Sequence, residues 1–484
     1  MSVPDLSTPL RIHVVAAGGA AMSAVAHILA AMGHTVTGSD QLDSAALDRL
    51  RAEGLTMWTG HHRDHVQGVD VVAVSTAIKP GNIELDTALA AGVVVASRPD
   101  MMEAMAAGQR TLAISGTHGK TTTSAMAALV ADAVGWNPSF LVGGVVNQLG
   151  AGSRWTGSGR MVVEADESDN SFLRFRADDV IVTNIESDHL DFHGSLQELE
   201  SAFHQFVVQG SGVKVLCVDD AGVRALLQRL TPEQLRDVRT YGTSDAADYQ
   251  IVDLRTSAMR TSFCIKHGGL VVAQLSMRVP GDHNARNATA VFAMFHALGH
   301  EGDLVSETLS RFSGVGRRFE YRGEVGGITF VDDYAHLPSE VATVVSAAVQ
   351  GDWKRVIAVF EPHRFTRIRD VGADFAHSFS GASVVLVTPL FAAGQEAIEG
   401  ISSHTVSNAV RIAHPELDVR DVGSRLQLVE LLSSLLQPGD LCLTMNAGEL
   451  TTLPAEMISS PWAQGLAGAV AVAAAVPAES KDGT

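Results

Sequence analysis

AISGTHGKTTTSAM, residues 113–126, sets two glycines, a lysine and a run of three threonines between an apolar run and a helical pattern. Gly116 and Gly119 let backbone N–H groups turn toward anionic oxygens, and the helix that follows adds the partial positive charge of its N-terminus. Lys120 would reach the terminal phosphates of a nucleotide, and the Thr121 hydroxyl would serve a magnesium ion. The usual phosphate loop has a glycine five residues before the glycine of its GK pair; here that place is Ile114, so the loop is a shortened variant. The competing reading is a glycine turn before a buried helix with a chance lysine. Strand, glycines, GKT and helix agree on the phosphate reading.

Around this loop the chain reads as alternating strands and helices. Its 484 residues suggest about three domains. In the first block RIHVVAA, TVTGSD, VDVVAVSTAI and GVVVAS are apolar strands, and Met22, Val25, Ala26 and Leu29 fall at helical spacing. Continuous apolar runs alternating with helices predict a parallel sheet covered on both faces. The second block opens with TLAIS and contains RMVVEADESD, DDVIVTNIESDHLD, VKVLCVDD and a hairpin-like TSFCIKHGGLVVAQLSMRVPG. The third repeats the pattern with GITFVDDY, RVIAVFEPH, SVVLVTPL and DLCLTM, after a plausible hinge, GVGRRFE, near Gly316. The expected domains are residues 1–108, 109–318 and 319–464, followed by an alanine-rich tail, 465–484, without a fixed fold.

A net charge of −19, spread along the chain, argues against nucleic acid or an anionic membrane as the main partner. Cys217, Cys264 and Cys442 are far apart and odd in number, which fits a reducing compartment, and a cytoplasmic location is expected. No signal peptide is visible, and the apolar run GLAGAVAVAAAV is too short to span a bilayer.

Other polar clusters follow predicted strands, where such sheets line their ligand crevice. Glu164 ends MVVE and His189 lies in NIESDHLD. Each is a candidate magnesium ligand or a group behind one; an ordinary cap or surface role is equally open. His363, Arg364 and Arg367, in EPHRFTR, would make an anion clamp, the alternative being a solvated turn. VDDYAHLPSE offers Asp332, Asp333, Tyr334 and His336, or a capped helix start with Pro338 in its first turn.

GTHGKTTT, EADESD, TNIESDHLDFHG, PGDHNARNA, GRRFE, VDDYAHLP and PHRFTR, in this order from about Ile12 to about Leu453, resemble the Mur ligases. GTHGKTTT with EADESD and DDYAH is most similar to the member that adds the first amino acid. The resemblance implies an N-terminal Rossmann-like domain for a UDP-sugar, a central ATPase with a P-loop and a C-terminal Rossmann-like domain. It implies an ATP-dependent ligase that joins L-alanine to the lactyl carboxylate of UDP-N-acetylmuramate, with ATP and Mg2+, as a monomer or weak homodimer.

By the same resemblance, Gly116, Thr117, His118, Gly119, Lys120, Thr121 and Thr122 would hold ATP, together with His283, Asn287, Arg318 and Asp333. His283 and Asn287 would contact adenine. Thr121, Glu164 and His189 would hold magnesium. Gly18, Gly19, Ser39, Asp40, Ser75 and Asn82 would surround the uridine diphosphate. Tyr334, His336, His363, Arg364 and Arg367 would surround the sugar's carboxylate and the alanine. Lys120, His189, His336, Arg364 and Arg367 are the expected catalytic residues, with the general base left open between His336 and His189.

The family's GxGGxGMS loop is AAGGAAMS here, with Ala16 and Ala21 at two glycine positions. The first glycine serves a tight turn and the last close helix–strand packing; alanine at the first is expected to fit if its φ is negative. Leu337 replaces a histidine, Glu361 a glutamine, and NAG at 446–448 the usual GAG. Two further readings stay open, a ligase for another amino acid or peptide and a nucleotide-binding descendant without synthesis. A GTPase is disfavoured by the lack of an NKxD-type guanine reader.

Overall fold

The computed structural model describes residues 3–460 and Trp462, apart from 76–77, Asp169, Phe175, 187–189 and Ala258. His189 and the expected tail, 465–484, lie outside the described residues.

The first sheet consists of β1 (Arg11–Val15), β2 (Thr35–Asp40), β3 (Thr56–Thr59), β4 (Val71–Val74) and β5 (Val94–Ser97). Its order is β3-β2-β1-β4-β5, and every neighbouring pair is parallel. β4 is buried along its whole length, as a strand covered on both faces must be. The helix Ala20–Ala31 packs Met22, Val25, Ala26 and Leu29 inward, as their spacing predicts. The order reverses between β1 and β4, the kind of switch point at which ligands bind in such sheets.

The second sheet has ten strands: β6 (Arg110–Ser115), β7 (Ser139–Val146), β8 (Ala151–Arg154), β9 (Arg160–Glu164), β10 (Asp179–Val182), β11 (Lys214–Cys217), β12 (Val238–Gly242), β13 (Tyr249–Ser257), β14 (Arg260–His267) and β15 (Leu270–Met277). The order is β15-β14-β13-β12-β11-β10-β6-β9-β7-β8, which puts β6 between β10 and β9. β14 and β15 are the expected hairpin. β7 and β8 form an antiparallel pair that the sequence reading did not separate, its register shifting between Leu141 and Val146. Gly143 and Gly144 lie in that shift and interrupt the apolar period.

The third sheet contains β16 (Glu320–Val325), β17 (Ile328–Asp333), β18 (Arg355–Phe360), β19 (Val384–Val387), β20 (Asp418–Asp421) and β21 (Asp440–Met445). Its order is β16-β17-β21-β18-β19-β20, parallel except for the β16–β17 edge pair.

The chain falls into two compact units. One holds residues 1–254, 262–277 and 283–313; the other holds 255–261, 278–282 and everything from Gly314 on. The first two sheets share a unit and one hydrophobic core, in which Ile12 and Val71 belong to the same cluster as Ala113, Val163 and Phe203.

Candidate functional site

β6 delivers the glycine loop, and the strands on either side hold it. Gly116 has a φ of 136° and Gly119 a φ of 82°, conformations that glycine adopts without strain. A Cβ on Gly116 would collide with Thr183 Oγ1, just past β10. The His118 N–H donates to Asn184 Oδ1 at 2.8 Å, and the Thr183 hydroxyl donates to the His118 carbonyl at 2.6 Å. Gly119 caps the helix Lys120–Ala133 without a side chain, so the N–H groups of Lys120, Thr121 and Thr122 face an uncapped helix start. That is the arrangement an anion requires. Asn287, expected beside adenine, stands against this loop: its Oδ1 is 2.9 Å from where a Gly119 Cβ would be.

Lys120 Nζ donates to the carbonyls of Gly116 and Thr117 and to Glu167 Oε1 at 2.8 Å. Burial pulls its pKa down, but attraction to Glu167 and Asp166 outweighs burial and raises it, so the ammonium stays charged. The Thr121 hydroxyl donates to Glu164 Oε1 at 2.9 Å, and the Gly143 N–H donates to Glu164 Oε2 at 2.7 Å. Glu164 is therefore not a helix cap. It ends β9 with its carboxylate turned to the threonine that follows the loop lysine, which sets two oxygen donors side by side, the ligand type a hard cation takes.

At the C-terminal ends of β1 and β2 the loop 16–19 meets Asp40. The Gly18 N–H donates to Asp40 Oδ2 at 2.9 Å, and a Cβ on Gly18 would reach both Asp40 and Ser44 Oγ. Gly19 is exposed at the start of the helix Ala20–Ala31. Ala16 has a φ of 66°, so the condition under which alanine would fit, a negative φ, is not met. Ala21 is exposed, so its methyl is not wedged between helix and strand. Ser39, expected near the uridine diphosphate, is fully buried, and its hydroxyl donates to Glu84 Oε2 at 2.6 Å. Asn82 caps the helix Ile83–Ala90, accepting from the N–H groups of Glu84 and Leu85. Ser75 follows β4 directly.

In the second unit the cluster forms at the ends of β17 and β18. Asp333 Oδ2 accepts from the Phe319 N–H and Oδ1 from the Ala335 N–H; burial pushes its pKa up to about 6 against the pull of Arg318. Arg317 and Arg318 both lie over the Tyr334 ring, at 4.7 and 5.7 Å. The Glu340 carboxylate accepts from the N–H groups of His336 and Leu337, starting the helix Pro338–Val349. Leu337 contributes only backbone there.

The two histidines of this cluster have opposite tautomers. His336 Nδ1 is 2.8 Å from the Tyr334 carbonyl, which can only accept, so Nδ1 carries the proton and Nε2 keeps its lone pair. His363 Nδ1 is 2.7 Å from the Arg367 guanidinium, which can only donate, so its proton sits on Nε2. Burial and Arg367 hold His336 below its ordinary pKa, and burial with Arg367 lowers His363 to about 3. Both rings are neutral at pH 7. Arg364 is exposed, with a strained φ of 67° at the start of the helix Phe365–Val371.

Residues 11–110 match the Mur ligase family catalytic domain, 114–295 the Mur ligase middle domain, and 317–448 the Mur ligase glutamate ligase domain. The chain belongs to the Mur ligase family. A UDP-N-acetylmuramate–L-alanine ligase of Mesorhizobium japonicum is 38% identical to it over 461 residues, 93% of this chain and 98% of that protein. One of Bradyrhizobium sp. (strain BTAi1) is 39% identical over 448 residues, 91% and 95% of the two chains. The crystal structure of a UDP-N-acetylmuramate–alanine ligase from Thermotoga maritima, at 26% identity, superposes with a TM-score of 0.78 over 93% of this chain and 98% of that one.

In this Mur ligase the residues that fix the loop were not singled out from sequence. Glu167 holds Lys120, Thr183 and Asn184 hold His118, and Gly143 holds Glu164. The first three lie inside EADESD and TNIESD, so their position after predicted strands was the available signal. Gly143 had none.

Proposed function

We propose that this Mur ligase joins L-alanine to the lactyl carboxylate of UDP-N-acetylmuramate, at the expense of ATP, in cytoplasmic peptidoglycan precursor synthesis. The supporting observation is the run of relatives carrying that name at 38–39% identity over more than nine-tenths of this chain. The loop chemistry fits. A carboxylate does not react with an amine at neutral pH, because oxide would have to leave; phosphorylation by ATP gives an acyl phosphate that the alanine amine attacks, releasing phosphate and forming the amide.

In this reading the 116–122 loop receives the ATP phosphates on its backbone N–H groups, with Lys120 neutralising the charge that develops on the transferred group. The ammonium exchanges its loop carbonyls and Glu167 for phosphate oxygens. His283 and Asn287 belong to the nucleotide's surroundings. Thr121 and Glu164 would hold a magnesium ion, with His189 the further assigned ligand; the ion would neutralise phosphate charge. Gly18, Gly19, Ser39, Asp40, Ser75 and Asn82 surround the uridine diphosphate. In the second unit Arg364, Arg367 and Tyr334 surround the sugar's carboxylate and the alanine, and Arg318 and Asp333 belong to the nucleotide's surroundings. His336 Nε2, neutral and unprotonated, accepts the proton that the attacking amine must lose. The domains are assigned to 1–108, 109–318 and 319–464.

Phosphate release from the purified chain with Mg-ATP and UDP-N-acetylmuramate tests this, with no amino acid, L-alanine, glycine or L-serine added. Release that needs both the sugar nucleotide and L-alanine, with the amide product seen by mass, is expected. Release that ignores L-alanine, or none while ATP still binds, would overturn the acceptor assignment.

A further inference from the structure

A second polar centre lies inside the first sheet, built by residues far apart in sequence. Glu84, at the start of the helix Ile83–Ala90, is fully buried. Three histidines converge on its carboxylate. His65 Nδ1 is 2.6 Å from Oε1, His61 Nδ1 is 2.8 Å from Oε2, and His13 Nε2 is 3.5 Å from Oε1. The His62 N–H and the Ser39 hydroxyl also donate to it.

Hydrogen bonding alone leaves one group poorly served. Two carboxylate oxygens offer about four acceptor sites, and the backbone N–H, the serine and two histidines occupy them. His13 is fully buried, and among the described residues its Nε2 has only Ser39 Oγ at 3.4 Å and Glu84 at 3.5 Å, both long for a hydrogen bond. Its other nitrogen lies 2.9 Å from Thr37 Oγ1. With Nδ1 donating to the Thr37 hydroxyl, the kind of outer partner that an imidazole ligand usually has, the Nε2 lone pair faces Glu84. The His65 ring is stacked on Trp58 at 4.1 Å, which fixes its orientation. The ligand atoms of His13, His65 and Glu84 all lie within 4.8 Å of one another.

We propose that His13 Nε2, His65 Nδ1 and a Glu84 oxygen form a binding site for one divalent transition-metal ion of the zinc class, separate from the magnesium site of the phosphate loop; the ion takes the place of the proton shared by His65 Nδ1 and Glu84 Oε1, which is released to solvent. Two imidazoles and a carboxylate are donors that zinc takes at neutral pH, whereas magnesium prefers oxygen. His61 and Ser39 stand beside the site, on the other Glu84 oxygen. The ion would tie β1, the 61–66 connection and the helix Ile83–Ala90 together behind the UDP-sugar loop.

The test uses the full chain without an affinity tag that binds metal. After chelator treatment, Zn2+ is titrated against a chromogenic chelator, and Co2+ is titrated while its visible absorption is followed. One equivalent of Zn2+ should bind to wild type, the Co2+ complex should show the intense bands of four-coordinate nitrogen and oxygen ligation, and Zn2+ should raise the melting temperature. His65→Asn should weaken Zn2+ binding at least 100-fold with the circular dichroism spectrum unchanged, and Glu164→Gln should leave it as in wild type. Absence of Zn2+ binding to folded wild type at tens of micromolar, or equal binding by His65→Asn, would overturn the proposal. Loss of the equivalent in Glu164→Gln would also overturn it, because the metal would then sit at the phosphate loop.

Discussion

Single side chains settle what the phosphate loop can do. Lys120 is the cation held by two loop carbonyls and Glu167, and no other residue of the shortened loop carries a fixed positive charge. Lys120→Ala should lower turnover by about 100-fold or more, with the far-ultraviolet circular dichroism spectrum unchanged. A variant retaining more than a few per cent of turnover would remove Lys120 from the mechanism. His336 makes a second case. Its Nδ1 is committed to a carbonyl and its pKa is lowered, so Nε2 is a free base at pH 7. His336→Gln should reduce turnover by about 100-fold or more, and its pH–rate profile should lose the acid limb on which the imidazole becomes protonated. A profile that keeps this limb would assign it to another group. His363 does not compete for the role, because the Arg367 guanidinium occupies its lone pair.

Elements show where sequence logic holds and where it stops. The helix Ala20–Ala31 was legible because its apolar residues keep a helical period, but the loop before it was not, since identity alone does not give φ. Ala16 is left-handed at 66°, which costs alanine about 1–2 kcal/mol, whereas a glycine there forfeits about 0.5–1 kcal/mol of chain entropy. Ala16→Gly should therefore raise stability by about 0.5 kcal/mol, read as a higher urea midpoint. Ala21, exposed in the first helical turn, behaves oppositely: Ala21→Gly should lose about 0.5–1 kcal/mol. A lower midpoint for Ala16→Gly would show the loop to be unstrained. The strands after which site residues follow were readable for the same reason as the helix, because both faces are buried and the runs are continuous. β7 and β8 were not, because Gly143 and Gly144 break the pattern where the strand must let the Glu164 carboxylate approach. The Glu84 centre was invisible for another reason, since its parts come from β1, the 61–65 connection and a helix start, and only the parallel topology brings them together.

Over the whole molecule, stability should depend on pH through carboxyl groups that the fold buries. The chain carries 54 acidic residues against 35 lysines and arginines. Glu361 differs. It is 9% exposed, its Oε1 has no hydrogen-bond partner among the described residues, and burial, reinforced by Glu449, raises its pKa from 4.5 to about 7. Asp333 is raised to about 6, also by burial. An acid whose pKa is raised on folding binds its proton more tightly in the native state. Its contribution is whole below the unfolded pKa and is lost as pH climbs through the folded value. For Glu361 that window runs from about pH 4.5 to about 7, and at about 1.4 kcal/mol for each pKa unit the loss amounts to about 3.5 kcal/mol at most. A glutamine at this position is an uncharged isostere and cannot lose a proton. Glu361→Gln should therefore match wild type near pH 4.5 and gain stability progressively up to pH 8, flattening the fall measured by denaturant titration at stepped pH. Asp333 accepts two backbone N–H groups that an asparagine could satisfy only in part, so its own smaller slope should persist in the Glu361→Gln variant. Equal slopes for wild type and variant would mean that Glu361 is ionised in the native protein, compensated by Arg425 and Arg317, the two cations whose attraction opposes its shift.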